Sequence, residues 1–321
     1  MNQAPLVSIV IPTYDRPDYL REALQSAVQQ TYQSIEIIVS DNGSPTSPEA
    51  LVQSFQDERI RFWRNQTNIG MFANTMNALK LARGKYVALL HDDDRWEPTF
   101  LEKLVPPLET YPEAIVCFCD QLIIDGDGKV DPEATEQTAQ LYHRAPLEAG
   151  IHRPFYELGL IHKTVPTAAG AVMRRSAIDW DTIPPEVGGM YDLYLTYLCC
   201  RSGLGAYYCP ERLVNYRVHA QTETMLSGRR NAQAKITKAK TEIFCYGQFM
   251  QDERLQLFHS HFRQQWLHAH TTLGIGLIRA KRAREARPYL LHALSQQRVN
   301  LRTVAALILS FLAFAQLERS P

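Results

Sequence analysis

Leu6–Ile11, Ile35–Ser40, Ile60–Trp63 and Tyr86–Leu90 are short, β-rich apolar runs, and helical patterns separate them. Pro17 suits the first turn of a helix, where its missing N–H costs nothing. Leu20, Ala23, Leu24, Ala27 and Val28 then recur at helical spacing. A helical stretch around 48–56 and another from Met71 to Ala82, closed by Gly84, complete the alternation. Strand and helix alternating in this way predict an α/β fold with a mostly parallel sheet covered on both faces. In such sheets ligands bind beyond the carboxyl ends of the strands.

Acidic residues stand at those ends. The fourth run passes through His91 into Asp92-Asp93-Asp94, and the second ends at Asp41 in the turn cluster Asp41-Asn42-Gly43-Ser44-Pro45. Adjacent carboxylates repel unless water solvates them or a cation sits among them. Mg²⁺ and Mn²⁺ take oxygen ligands, one or two carboxylates at a time, with water and substrate phosphate in the other positions. The triplet therefore predicts a divalent metal that holds a phosphorylated substrate, against the plainer reading of a solvated acidic turn.

Composition narrows the classes. The 321 residues carry 34 basic and 34 acidic side chains, and this neutrality argues against a nucleic-acid partner, which needs a basic face. Six cysteines without a CxxC pair, mostly in apolar surroundings, read as reduced core residues of a cytoplasmic protein. The opening Met1–Pro5 lacks the charged start and apolar run of a signal peptide.

Farther along, Ile115 to Ile124 followed by Asp125-Gly126-Asp127-Gly128 reads as a strand and hairpin turn. Residues 131–165 read as loops with a short helix, and 166–220 as mixed, with a strand over Ala169–Met173 and a helix from Asp192 to near Gly203. Beyond about 228 strand signals vanish, so a boundary is expected between 1–227 and an all-helical extension, 228–321. Phe262 to Leu294 reads as a helical hairpin broken near the basic stretch Arg279–Arg287. His259, His261, His268 and His270 are expected to face solvent. Val304 to Leu317 is apolar on nearly all sides but short of the roughly 20 residues of a membrane span. It is expected either to pack on the domain or to lie in a membrane interface.

Several pieces now form one pattern. Pro12-Thr13-Tyr14-Asp15-Arg16, Gln30-Thr31-Tyr32, Glu36 through Ser44, Asn68-Ile69-Gly70 and Gly84 through Leu90 occur in the order and spacing that resemble family 2 glycosyltransferases. The resemblance is dense over residues 5–125 and thin to about 220. It implies a GT-A fold, one Rossmann-like sheet with a nucleotide-binding half at about 5–125 and an acceptor half at about 126–227. It also implies inverting transfer of a sugar from a nucleotide-sugar donor to a glycan or lipid-linked acceptor, with Mn²⁺ or Mg²⁺.

Residue by residue, the resemblance gives Asp41 to the base ring, whose imide N–H an ionised carboxylate can accept. The base stays open between uridine, deoxythymidine and guanosine, and Asp41 equally suits a turn before Asn-Gly. Pro12, Thr13, Tyr14 and Asp15 would wrap base and ribose, while Asn68 and Gly70 would frame the nucleotide loop. The family commonly writes Asp-x-Asp-Asp where this chain has His91-Asp92-Asp93-Asp94. That alignment makes Asp94 the metal ligand and Asp93 a ribose or outer contact, with a register through Asp92 and Asp94 also open. Asp192 matches the second acid of a family Glu-Asp pair, the general base, and Tyr191 replaces the Glu. Asp192 also suits a helix N-cap. Gly170 resembles the glycine loop facing acceptor and donor sugar, and His219, in Tyr216-Arg217-Val218-His219, resembles a histidine that completes the metal shell or contacts diphosphate.

Two rivals remain. A nucleotidyltransferase shares the sheet and acidic site but opens with a glycine-rich phosphate loop, and Pro12–Pro17 has no glycine. A non-catalytic relative acting as a binding module is the other.

Overall fold

A computed structural model describes residues 4–219, 231–296 and 300–317, with side chains to 312. The expected boundary at 227/228 lies outside the described residues. The chain forms two compact units, one of residues 1–185 and 191–218, the other of 186–190 and 219–321.

In the first unit the described strands form one sheet in the order β3-β2-β1-β4-β8-β6-β9-β5, with β7 also on β9. They are β1 (Val7–Thr13), β2 (Ile35–Asp41), β3 (Ile60–Arg64), β4 (Tyr86–Leu89), β5 (Arg95–Trp96), β6 (Ala114–Ile124), β7 (Gly150–His152), β8 (Ala171–Arg174) and β9 (Gly205–Arg217). β1 to β4 run parallel, β8 lies antiparallel between β4 and β6, and β9 runs parallel to β6. Every residue of β1 and β2 is buried, which is why they read as mainly apolar runs, broken early by Ser8 and Glu36, rather than as alternating ones.

Helices α1 (Pro17–Val28), α2 (Glu49–Gln53) and α3 (Met71–Lys80) connect the parallel strands as expected. Glu36 braces this half. Its carboxylate accepts from Ser8 Oγ at 2.6 Å, from the Arg83 backbone N–H at 2.7 Å and from Arg61 Nη1 at 2.9 Å. Where Gly84 passes β1, a Cβ would lie 2.7 Å from the Leu6 carbonyl oxygen, so only glycine fits.

Two elements escaped the sequence pattern. α4 (Phe100–Thr110) forms despite Pro106 and Pro107 because Leu101, Leu104, Val105 and Leu108 bury its other face. β9 is 13 residues long, hidden in sequence by the polar Pro210-Glu211-Arg212 and by register shifts against β6. α5 (Pro132–Leu141) is capped by Asp131, which accepts from the Ala134 N–H at 2.9 Å. α6 (Tyr191–Arg201) begins one residue before Asp192, so Asp192 lies in its first turn and is not its N-cap.

The second unit contains α7 (Ala232–Gln251), α8 (His259–Arg279), α9 (Ala283–Ser295) and α10 (Leu301–Leu317). α8 and α9 form the expected hairpin, turning at Lys281, whose φ is 61°. Gly274 lets the two approach closely, for a Cβ there would lie 2.6 Å from Leu290. His270 is buried, not solvent-facing, and its Nδ1 is hydrogen-bonded to the Trp266 carbonyl at 2.9 Å. Among the described residues no helix is long and apolar enough to cross a membrane.

Candidate active site

The turn 91–94 joins β4 to β5, and both flanks are held. Leu90 N–H donates to the Val10 carbonyl at 3.0 Å, Asp94 N–H closes the turn on the His91 carbonyl at 3.2 Å, and β5 pairs Arg95 with Asn215 of β9. Each carboxylate then has its own partner. Asp92 Oδ2 accepts from Thr13 Oγ1 at 2.8 Å and the Tyr14 N–H at 3.4 Å, binding the turn to the loop after β1. Arg16 Nη1 bridges Asp92 at 3.3 Å and Asp93 at 2.9 Å. Asp94 Oδ1 accepts the Arg217 N–H at 2.9 Å, while Asp94 Oδ2 is buried without a hydrogen-bond partner.

Ligand atoms of His91, Asp93 and Asp94 lie within 4.8 Å of one another, as divalent coordination requires. Burial first, and the neighbouring Asp93 charge second, push the Asp92 carboxyl up to about 7 and hold that of Asp94 well above the usual range. A buried oxygen lacking a partner, in a group this short of positive charge, fits a cation. Imidazole beside two carboxylates suits Mn²⁺ better than Mg²⁺.

His91 Nε2 is hydrogen-bonded to the Tyr191 hydroxyl at 2.5 Å. The two positions at which this chain departs from the family pattern therefore touch, and the bond ties the acidic turn to the start of α6. Asp192 follows directly. The residue as a whole is exposed, yet surrounding protein raises the proton affinity of its carboxyl against the opposing Leu193 N–H at 2.6 Å. Its carbonyl accepts from Thr167 Oγ1 at 2.6 Å and Thr196 Oγ1 at 3.0 Å, which anchors the helix start. His91 and Asp192 lie within electrostatic reach of one another.

On the β1–β2 side, Asp41 is wholly buried. It accepts from Ser44 Oγ and the Ser44 N–H, and pairs with Arg64 Nε at 3.3 Å, so in this structure it closes its own turn. Ser44 Oγ in turn accepts the Asp15 N–H at 2.8 Å, and Asp15 has a φ of 53°. Asn68 Oδ1 accepts from Asn42 Nδ2 at 3.0 Å and from the Gly70 N–H at 2.9 Å. Gly43 has φ 72°, and a Cβ there would lie 2.6 Å from the Thr67 carbonyl carbon. Pro12, Thr13, Tyr14, Asp15, Asp41, Asn68 and Gly70 thus gather at the carboxyl ends of β1 and β2, with Tyr14 exposed.

Gly170 is buried, and a Cβ would meet Pro166 at 3.0 Å and Val214 at 3.3 Å. Its close approach is therefore to the chain itself. His219 groups with the second unit. Arg16 and Arg217 carry no legible role in the linear pattern. The signals were present, since both arginines lie inside the recognised motifs, but nothing in a linear pattern pairs them with Asp93 and Asp94.

A mostly parallel sheet with an acidic turn at the carboxyl end of its central strand is the arrangement of the GT-A class of glycosyltransferases. The pattern described as Glycosyl transferase family 2 matches residues 8–179, so the chain belongs to that family. It is 31% identical over 221 residues to an uncharacterised protein of Mycobacterium tuberculosis, a match covering 67% of this chain and 59% of that protein. In fold it is similar to Staphylococcus aureus TarS in complex with UDP-GlcNAc, with TM-score 0.67, 14% identity, and 97% and 91% of the two chains covered. It is also similar to the mannosyltransferase PcManGT from Pyrobaculum calidifontis in complex with GDP-Man and Mn²⁺, with TM-score 0.57, 17% identity, and coverage of 98% and 81%.

Proposed function

We propose that this protein is a metal-dependent, inverting glycosyltransferase that moves a sugar from a nucleotide-sugar donor to an acceptor hydroxyl. The observation that carries the reading is the buried, unpartnered Asp94 Oδ2 beside Asp93 and His91 at the end of β4. A divalent ion there would offset negative charge developing on the leaving diphosphate. Asp93, Asp94 and His91 are its proposed ligands, with His219 a further candidate.

Asp192 is the proposed general base, taking the acceptor proton as the hydroxyl attacks the anomeric carbon from the face opposite the diphosphate. The protein packed around it raises the proton affinity of its carboxyl although the residue is exposed, the direction a base working near neutrality needs. Thr13, Tyr14 and Asp15 would hold the nucleoside between Asp92 and Ser44, with Pro12, near the end of β1, bordering base and ribose. Asp41 has three donors, on Ser44 and Arg64, and a carboxylate has about four acceptor positions, so it keeps capacity for the N–H of a base ring. Asn68 and Gly70 would border the nucleotide, and Gly170 the sugar. Fold-level likeness to complexes of UDP-GlcNAc and GDP-Man supports the donor class. We favour a UDP or dTDP sugar, and a glycan or lipid-linked acceptor used from the cytoplasm, in polysaccharide or glycolipid assembly.

Calorimetric titration with UDP, dTDP and GDP, each with Mn²⁺, Mg²⁺ or EDTA, tests this. Binding of one nucleotide that collapses with EDTA is expected. No binding under any condition would overturn it in favour of a non-catalytic binding relative. The hydrogen bond joining His91 to Tyr191, the two substituted positions, is what favours that second reading. Metal-dependent hydrolysis of a nucleotide sugar would exclude it.

A further inference from the structure

α10 is built inside out. Thr303, Ala306 and Ser310 face inward and are buried, and Thr303 and Thr271 share a hydrogen bond of 2.8 Å between their hydroxyls. Leu301, Ile308, Leu309, Phe311 and Leu312 face outward, each more than half exposed. An ordinary surface helix puts its apolar stripe inside and its polar residues in water. Inward, Thr303, Ala306 and Ser310 are joined by a half-buried Leu307, while five large apolar side chains face solvent, so the outer stripe calls for an apolar covering.

Charge beside the stripe indicates what covers it. The chain as a whole is neutral, but residues 279–317 contain seven arginines and lysines and one glutamate. Arg287 places that basic run against α10: Nη2 donates to the Ser310 carbonyl at 3.1 Å, and the guanidinium lies 4.1 Å from the Phe311 ring centroid. A second copy of the same face would bring basic run against basic run. An anionic bilayer instead offers hydrocarbon to the leucines and phosphates to the arginines and lysines.

We infer that α10 lies in the interface of an anionic membrane, with Ile308, Leu309, Phe311 and Leu312 in the acyl region and Lys281, Arg282 and Arg284 at the headgroups. This does not depend on the transferase reading, since nothing in the first unit enters the argument. Sedimentation of the full chain with vesicles tests it, using phosphatidylcholine alone against a mixture with phosphatidylglycerol. Binding to the anionic vesicles, weakened severalfold by added salt, is expected. Leu309→Glu with Leu312→Glu should abolish it, and Lys281→Asn with Arg284→Gln should weaken it severalfold. Circular dichroism of each variant checks that the helices persist. Equal recovery in the supernatant at every composition would overturn the inference. So would a dimer by light scattering that Leu309→Glu dissociates, which would give the face to a second copy.

Discussion

Arg217 donates its backbone N–H to Asp94 Oδ1 at 2.9 Å, and its guanidinium donates to the carbonyl of the preceding Asp93 at 2.8 Å. One fully buried arginine at the end of β9 therefore holds both carboxylate-bearing residues in place. The same guanidinium reaches the Gly126 carbonyl at 3.0 Å and Glu22 at 2.6 Å, and lies over the Tyr19 ring at 4.7 Å. Arg217→Met would keep the backbone N–H on Asp94 but strip the guanidinium from the Asp93 carbonyl, and would leave Glu22 only Arg95, at 3.2 Å. Glu22 is partly exposed, so the loss should fall near the lower end for a broken buried pair, about 3 kcal/mol. Chemical denaturation checks this, and metal affinity should fall with it.

Asp94→Asn retains the acceptor for the Arg217 N–H but removes the charge. Disturbing even outer groups around a metal costs 10- to 100-fold in affinity, so loss of this ligand should weaken Mn²⁺ binding by at least about 100-fold. Calorimetry reads it directly, and unchanged affinity would place the ion elsewhere.

Asp192→Asn should leave nucleotide binding intact and lower turnover roughly 100- to 10,000-fold, the usual worth of a positioned base. A loss of binding with little change in turnover would contradict the assignment.

Glu36 supplies a pH dependence of stability. Burial alone would raise its pKa, but hydrogen bonds from Ser8, the Arg83 N–H and Arg61 outweigh burial and lower it below 4.5. A carboxyl depressed by folding stabilises the fold above its unfolded pKa and ceases to do so as pH falls through the folded one. The Tm gap between wild type and Glu36→Gln should therefore be full at neutral pH and close as the pH drops below about 4.5. Thermal melts across that range decide it.

Gly43→Ala combines a left-handed φ with a Cβ driven into Thr67 backbone. The conformation alone costs on the order of 1–3 kcal/mol. A measurable fall in Tm, with weaker nucleotide binding as the loops at 41–44 and 67–70 separate, is the expected outcome.

The strands that carry the site were legible because β1, β2 and β4 are buried on both faces, which makes them mainly apolar despite the paired Ser8 and Glu36. Turn residues after them, Asp41 to Ser44 and His91 to Asp94, stand out because charge following such a run is costly to bury. β9 was not legible. Its polar centre and bulges answer to β6, β5 and β7, partners a linear pattern does not display. α4 is hidden in the sequence because Pro106 and Pro107 outweigh local propensity until Leu101 and Leu104 find a core.

Sequence alone determined the family, the α/β class and the candidate carboxylates, since spacing along the chain records which residues end which strands. Only tertiary structure decided their partners. Arg217 lies more than a hundred residues from Asp94, and Tyr191 a hundred from His91. Hydrogen bonds over such separations depend on how β4, β9 and α6 assemble. The outward stripe of α10 has the same origin, because Val304–Leu317 reads as apolar all round until its neighbours select which face to bury.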